Sequence, residues 1–218
     1  MRVATRGIGV RATGDRSDRM HGRLPRPRPD ELSPEQQAVH RSVLGGPRTG
    51  DPAFALADAD GRLTGPFNVM LAAPGPGLAL SELGAALRFR TSLSDRVREI
   101  AILTLSVLER SSFEWYAHEA VARRIGITED ELSAIAAGAV PSTFDDIERT
   151  VQHGVAELVT AGDLDETTYR DLESHLGTEG VVELIMLVGY YSLLALSMRV
   201  LRTPLPDGVT DPFEGDGS

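Results

Sequence analysis

The fold is decided by the segment Arg98-Glu99-Ile100-Ala101-Ile102-Leu103-Thr104-Leu105-Ser106-Val107-Leu108-Glu109. Its apolar residues occupy nearly every face of the helix that we predict from about Asp95 to Glu109. A helix with so little polar surface has to be covered on most sides by other parts of the protein. We therefore predict that it lies in the middle of the domain or in a subunit interface.

Helix start signals occur on both sides of this segment. In a capping box, a Ser or Thr followed by Glu or Gln three residues later satisfies free N–H groups of the first turn. The pattern occurs at Ser33 with Gln36, Ser111 with Glu114, and Thr128 with Glu131. Further helices are predicted near 34–44, 66–71, 78–88, 144–161, 165–176 and 179–201, with Pro74-Gly75-Pro76-Gly77 as a break. No strand pattern competes, so we predict an all-α fold.

These helices form a single predicted domain over residues 31–206. Residues 1–30 are rich in Arg, Gly and Pro without an apolar period, so we predict a disordered arm there. Residues 207–218 are predicted to be a polar tail for the same reason. The apolar stretch Val181 to Leu196 is short for a membrane span and contains Glu183, and the N-terminus lacks a hydrophobic signal segment. We therefore expect a cytoplasmic protein without a membrane partner.

The composition excludes several classes of function. The formal net charge of −10 disfavours nucleic acid as a partner, because phosphates are bound by clustered basic residues. All 22 basic residues are Arg, so no lysine is present to form a Schiff base. The absence of Cys removes thiolate catalysis and cysteine-ligated metals. Since no His and carboxylate cluster has clear metal-ligand spacing, we predict neither a metal nor another cofactor.

His118 and Glu99 are the candidates for catalysis. His118 lies on the apolar side of the helix predicted to begin at Ser111, so we expect it to be half-buried. Glu99 lies in the first turns of the most apolar helix, where a carboxylate interacts favourably with the helix dipole. Beside an imidazole, such a carboxylate can orient the ring or relay a proton. The alternative is a core histidine with satisfied hydrogen bonds and a carboxylate that only stabilises its helix.

Three stretches around these residues carry a family resemblance. They are Arg98-Glu99-Ile100-Ala101-Ile102, Glu109-Arg110-Ser111-Ser112-Phe113-Glu114-Trp115-Tyr116-Ala117-His118-Glu119-Ala120, and Gly126-Ile127-Thr128-Glu129-Asp130-Glu131-Leu132. Together they resemble the core of the carboxymuconolactone decarboxylase and AhpD-like family, over about residues 78–140, with family-like helices continuing to Pro204. The resemblance implies an AhpD-like helical bundle and symmetric oligomers such as trimers or hexamers.

The resemblance also defines the chemistry that is possible. In the AhpD-like peroxidase branch a Glu, a C-x-x-C pair and a His four residues later occur in this order, and the Glu and His relay protons to the cysteines. The matching positions are Glu99, Ser111, Glu114 and His118. Thiol peroxidase activity is excluded, because neither Ser111 nor Glu114 can form a disulfide. The chain is therefore more similar in its chemistry to the decarboxylase branch, which lacks the redox pair.

We accordingly expect a metal-independent acid/base enzyme for a small carboxylated or carbonyl-bearing molecule, acting by decarboxylation or a related lyase or isomerase step. His118 would deliver the proton, and an Arg would bind the carboxylate. The candidate substrate-binding residues are Arg88, Arg98, Glu114, Trp115 and Tyr116. Tyr190 and Tyr191 are further candidates to stabilise an enolate. The alternative is a non-catalytic helical oligomer in which Ser111 and Glu114 serve only as a helix cap.

Surplus apolar surface predicts self-association. The helices from Asp95 to Glu109 and from Val181 to Val200 are apolar on more faces than the remaining helices easily cover. We expect a homo-oligomer whose site lies close to, or is shared across, a subunit contact. The alternative is a monomer in which the second of these helices is the central core element.

Overall fold

The computed structural model describes residues 20–46 and 53–214. Within these ranges helices are the dominant secondary structure and the only sheet is a two-stranded hairpin, which confirms the predicted all-α class. The helices are α1 (Pro34–Leu44), α2 (Gly65–Ala72), α3 (Pro74–Phe89), α4 (Asp95–Leu108), α5 (Ser112–Arg124), α6 (Glu129–Ala136), α7 (Asp146–Thr160) and α8 (Glu166–Leu201). A short antiparallel hairpin, β1 (Met20–His21) and β2 (Leu24–Pro25), and a 3-10 turn (Pro29–Glu31) precede α1.

The chain is structured before the predicted start of the domain at residue 31. The Arg23 N–H donates to the Leu201 carbonyl at the end of α8 at 2.8 Å. The Gly65 N–H donates to Nε2 of His21 at 3.0 Å. The prediction of a disordered arm is therefore wrong for residues 20–30, because contacts with distant residues hold a segment that has no apolar period of its own. Residues 1–19 of that predicted arm lie outside the described residues.

The predicted C-terminal tail is also partly packed on the domain. The Phe213 ring lies edge-on to Trp115, with 6.2 Å between the ring centroids. The Ser112 hydroxyl donates to Oδ1 of Asp211 at 2.6 Å. These contacts place residues 207–214 against α5, whereas residues 215–218 lie outside the described residues.

Two of the three predicted capping boxes form. The side chains of Ser33 and Thr128 accept hydrogen bonds from the third residue of α1 and of α6, and both boxes are reciprocal. The third prediction is wrong, because the Ser111 side chain accepts no such bond. Glu114, which would complete that box, is buried instead. Because the Glu114 carboxyl group takes no part in a helix cap, it is available for another role.

The predicted break between α2 and α3 occurs at Ala73, which has the non-helical angles φ −131° and ψ 76°, and not over Pro74–Gly77, because α3 begins at Pro74. Proline has no backbone N–H and a fixed φ, so it fits the first turn of a helix, where that N–H would have no partner. The break predicted between the helices 165–176 and 179–201 does occur, because Gly177 interrupts α8 with φ 68° and ψ 171°. The left-handed φ is available to glycine at little cost.

The most central helix is α4, which packs against α5, α6, α7 and α8. Ten of its 14 residues are buried. It contributes Ala101, Ile102 and Leu105 to the larger apolar cluster, and Ile100 and Leu103 to a smaller one. The chain itself therefore covers this helix, as predicted for a helix in the middle of the domain.

By length and composition α8 is long and apolar enough to cross a membrane, although half of its most apolar stretch is buried inside the protein. A central core helix has the same properties. Its inner face carries buried side chains such as Leu184, Leu187 and Leu194. Its other face leaves a set of large apolar side chains exposed: Val182, Ile185, Met186, Leu193, Leu196 and Val200.

Candidate active site

A narrow cavity of about 50 Å³ lies where α2, α3, α5 and α8 meet. Its wall is mostly aromatic and aliphatic, with a few polar groups. The lining residues are Ala53, Phe54, Leu56, Pro66, Phe67, Gly84, Arg88, Phe113, Glu114, Ala117, His118, Tyr190, Tyr191 and Leu194. An apolar wall with a few convergent polar groups is typical of a site for a small molecule.

The polar centre of this wall is His118, whose Nδ1 lies 2.6 Å from Oε2 of Glu99. Glu99 comes from α4, is fully buried, and does not itself line the cavity. An ionised carboxylate only accepts hydrogen bonds, so Glu99 holds a proton on Nδ1 and leaves a lone pair on Nε2 of His118. No hydrogen bond to that Nε2 occurs within the described residues, so it can exchange a proton with a molecule in the cavity.

Arg98 supports Glu99 rather than the cavity. Its Nη2 donates to Oδ1 of Asp95 at 2.6 Å, and its Nε lies 3.7 Å from Oε1 of Glu99. This arrangement places a positive charge beside the buried carboxylate. Arg98, which is predicted to contact the substrate, does not line the cavity. It is a positioning residue for Glu99.

Glu114 lines the cavity one helical turn before His118. Its side chain is 2% exposed, and neither carboxyl oxygen has a hydrogen-bond partner within the described part of the chain. Burial raises the pKa of Glu114 well above its usual value; Ser111 opposes this shift and Glu109 adds to it. The Ser111 hydroxyl lies near the carboxyl group but makes no hydrogen bond of good geometry to it. The environment therefore favours the neutral acid.

Two tyrosines and an arginine complete the polar lining. The Tyr191 ring lies edge-on to His118 and to Tyr190, with centroid distances of 5.1 and 5.2 Å. Burial, followed by the charge of Glu99, raises the pKa of Tyr191 well above its usual value, so its O–H remains a donor. Arg88 of α3 is half-buried and stacks on the neighbouring Phe89 ring, and within the described residues no carboxylate pairs with it.

Trp115 and Tyr116, both predicted to contact the substrate, do not line the cavity. Trp115 packs in the smaller apolar cluster on the other side of α4. The Tyr116 ring packs edge-on to the rings of Phe54 and Phe113, at 6.4 and 5.9 Å between centroids. Because α5 is buried on two sides, neighbouring apolar residues of this helix face different parts of the core. Among the predicted residues, the structure brings together Glu99, His118, Glu114, Arg88, Tyr190 and Tyr191.

Sequence reasoning missed the aromatic wall of the cavity. Phe54 stacks on Phe67 with 6.5 Å between centroids and lies edge-on to Phe113 at 6.3 Å. The Phe113 ring packs directly on Gly65, where a Cβ atom would lie 2.2 Å from the ring. Gly65 also has a left-handed φ of 54°. Gly65, which precedes Pro66, is the local sequence signal that a ring approaches the backbone closely at this point. The ring itself, Phe113, lies 48 residues away in the sequence.

A metal site is not assembled around this cavity. Within the described ranges, no group of three or more His, Cys, Asp or Glu side chains could hold a metal ion. The polar groups present are an imidazole, carboxyl groups, phenols and one guanidinium. This set can donate and accept protons and bind a carboxylate.

Sequence comparison identifies the central part of the chain. Residues 77–156 match the carboxymuconolactone decarboxylase family. This segment contains Glu99, Glu114 and His118 together with Arg88. Among curated protein sequences, none matches the chain.

Solved structures share the fold at low sequence identity. An uncharacterised peroxidase-related protein from Ralstonia eutropha JMP134, described as an alkylhydroperoxidase AhpD core, is 15% identical with a TM-score of 0.70, covering 86% of this chain and 94% of that one. The debrominase Bmp8 is 13% identical with a TM-score of 0.62, covering 82% and 88%. A putative antioxidant defence protein AhpD from Agrobacterium tumefaciens is 17% identical with a TM-score of 0.59, covering 64% and 96%. These likenesses establish the AhpD-like fold.

Proposed function

Because residues 77–156 carry the carboxymuconolactone decarboxylase family core within an AhpD-like fold, and the chain has no cysteine, we propose that it is a metal-independent acid/base enzyme. Its substrate is a small carboxylated or carbonyl-bearing organic molecule, and its reaction is a decarboxylation or a related lyase or isomerase step. The observation that carries the proposal is the 2.6 Å contact between Glu99 and His118 at the wall of an apolar cavity.

In this proposal His118 moves the proton at carbon. In a decarboxylation, the bond to the carboxylate carbon breaks, carbon dioxide leaves, and the electron pair passes into a conjugated carbonyl group. The protonated imidazole then gives its Nε2 proton to carbon, while Glu99 stabilises the imidazolium charge. In an isomerisation, the neutral Nε2 of His118 first removes a proton from carbon and returns it at another position.

Arg88 is the group that can bind a carboxylate. It lines the same cavity as His118 and is not committed to an ion pair within the described residues. A guanidinium binds a carboxylate through two parallel hydrogen bonds, which fixes orientation as well as charge. The cavity volume of about 50 Å³ restricts the site to a small substrate.

The test begins with a screen of unsaturated lactones and cyclic keto acids for release of carbon dioxide or uptake of protons. With a substrate found, we expect His118→Ala and Glu99→Gln each to lower kcat/KM by about 10²- to 10⁴-fold, the usual contribution of a positioned acid or base. Glu119→Gln, on the same helix as His118 but outside the cavity, is the matched control. Full activity of both site variants, with folding verified by circular dichroism, would refute these roles.

The alternative is a helical oligomer that has kept the fold without chemistry. That reading requires His118 to be bonded only to backbone with no cavity beside it, and Ser111 with Glu114 to act as a helix cap. The side-chain contact to Glu99, the adjoining cavity and the absence of a side-chain cap at Ser111 support the enzyme instead. A crystal soaked with a substrate analogue that stays out of the cavity would favour the alternative.

A further inference from the structure

Glu114 is a polar group without an evident structural role. It is buried at the cavity wall, both of its oxygens lack partners within the described chain, and it does not cap α5. Buried polar groups are nearly always hydrogen-bonded, and an exception at a cavity requires an explanation. A molecule that enters the cavity is the partner that the protein itself does not supply.

We propose that Glu114 is a neutral carboxylic acid that donates its O–H to a carbonyl or enolate oxygen of the substrate. The proposal rests on the proposed function, because the enolate forms when a proton or a carboxylate leaves the substrate beside His118. Glu114 and His118 lie four residues apart on α5, so their side chains project from the same side of the helix. One acts at oxygen and the other at carbon.

The surroundings of Glu114 explain why the acid stays neutral. The titratable and charged groups that line the cavity with it are His118 from α5, Arg88 from α3, and Tyr190 and Tyr191 from α8. None of them donates a hydrogen bond to the carboxyl group. A buried carboxylate without an ion-pair partner is costly, and burial outweighs the opposing contribution of Ser111, so the group keeps its proton.

The isomerisation balances without any further reagent, whereas in the decarboxylation His118 regains from solvent the proton that it gives to carbon. When His118 takes a proton from carbon, or when carbon dioxide leaves, the electron pair moves onto the substrate oxygen. The Glu114 O–H stabilises that oxygen by a hydrogen bond or transfers its proton, which forms a new O–H bond and leaves Glu114 as a carboxylate. When carbon is protonated by His118, the carbonyl re-forms and the proton returns to Glu114.

The aromatic wall adds a shape requirement. Phe67 and Phe113 line the cavity together with Phe54, whose ring packs against both of theirs. Flat apolar surfaces favour a planar ring over a flexible chain, because aromatic groups gain from stacked and edge-on contacts. The substrate class that follows is a small, planar cyclic ketone, lactone or phenol-like anion with an oxygen directed at Glu114.

The protonation state can be measured directly by infrared spectroscopy. We expect the wild-type protein at neutral pH to show the carbonyl-stretch band of a protonated carboxyl group, and Glu114→Gln to lose it. Glu119→Gln, which changes a carboxylate on the same helix outside the cavity, should keep the band. Absence of the band from the wild-type protein would overturn the proposal.

Ligand preference is measured with para-nitrophenol, whose anion absorbs visible light and whose neutral form does not. We expect the wild-type protein to bind the anion, and Glu114→Met to weaken that binding about 10- to 100-fold, as for the loss of a hydrogen bond to a charged group. Glu114→Gln retains an N–H donor, so its affinity for the anion should fall less than that of Glu114→Met. Equal affinities of the wild-type and Met variants for the anion, or binding of the neutral phenol alone, would contradict the donor role.

A purely structural role is distinguished by stability. Glu114→Met replaces an unpartnered buried acid by an apolar side chain of similar size, so we expect an unchanged or higher Tm together with weaker anion binding. If His118 and Glu99 variants abolish turnover while Glu114 variants bind the anion normally, the proposed function stands and the role of Glu114 is wrong. If anion binding depends on Glu114 but turnover is independent of His118, the proposed function fails instead.

Discussion

At the scale of single residues, burial holds three ionisable side chains in their uncharged form at neutral pH. The pKa of Glu114 and of Tyr191 is raised by burial, and the pKa of His21 is lowered to about 4 by burial and by Arg26. Two of these groups line the cavity, and the third accepts a hydrogen bond from Gly65 at the start of α2. For Glu114, burial rather than the residue type therefore sets the charge.

His21 makes the stability of the fold sensitive to acid. The unfolded chain takes up the proton near the ordinary pKa of 6.5, whereas the folded protein does so only near 4. The free energy of unfolding therefore falls as pH decreases through this window, with a slope of up to about 1.4 kcal/mol per pH unit from this group. We expect His21→Gln to flatten the pH dependence of urea unfolding between these values. The same change at the exposed His175 is the control, and an equal effect of the two variants would contradict the prediction.

At the scale of elements, Arg96 joins three helices. This residue of α4 donates to Glu131 of α6 at 2.6 Å and to Glu148 of α7. The two carboxylates are nearly buried and also accept the N–H groups of the residues that cap their helices, Thr128 and Asp145. Burial opposes the ionisation of Glu131, but hydrogen bonds from Arg96, Thr128 and Thr143 outweigh it and lower the pKa to about 2.

Removing Arg96 leaves two buried carboxylates without their cation. We expect Arg96→Ala to lower the free energy of unfolding by about 3 kcal/mol at neutral pH, as for a broken buried ion pair. Arg170→Ala breaks an exposed pair with Glu166 and should cost at most about 1 kcal/mol. The loss should shrink as pH falls from 4.5 toward 2, where Glu131 takes up a proton. Similar losses in the two variants in denaturant titrations would show that the junction is not a buried network.

The sequence predicts elements better than it predicts the cavity, for a physical reason. Helix caps depend on side chains within four residues, so the boxes at Ser33 and Thr128 are local. The pairing of Glu99 with His118 followed from the resemblance and from the apolar faces of two neighbouring helices. The aromatic wall depends on side chains such as Phe54 and Phe113, which come from distant parts of the chain. These side chains come together only through tertiary packing. The position of Trp115 in the smaller apolar cluster, away from the cavity, has the same cause.

At the scale of the whole molecule, six of the eleven large apolar side chains that are exposed among the described residues lie on α8. The predicted surplus of exposed apolar surface is absent from α4, because other parts of the chain cover that helix. The predicted apolar surface is exposed on α8. Its six exposed apolar side chains recur at spacings of one to seven residues along one side of the helix. The opposite side of the same helix supplies Tyr190, Tyr191 and Leu194 to the cavity.

We propose that this face of α8 is covered in a homo-oligomer, since a contiguous apolar stripe of this kind is unusual on an isolated soluble chain. Light scattering at low micromolar concentration should give a multiple of 23.4 kDa. Met186→Glu with Leu196→Glu should shift the mass to that of one chain. Val140→Glu, at an equally exposed apolar residue away from α8, should leave the mass unchanged. A wild-type mass of one chain would refute the proposal.

The contact between Gly65 and the Phe113 ring has a consequence for the evolution of the sequence. Any side chain larger than hydrogen at residue 65 would collide with the ring, and the left-handed φ there adds a further cost. A mutation of either residue therefore alters selection on the other. Lineages that exchange Gly65 are expected to have first replaced Phe113 by a smaller side chain, so the two codons should change together and in that order during the divergence of this protein.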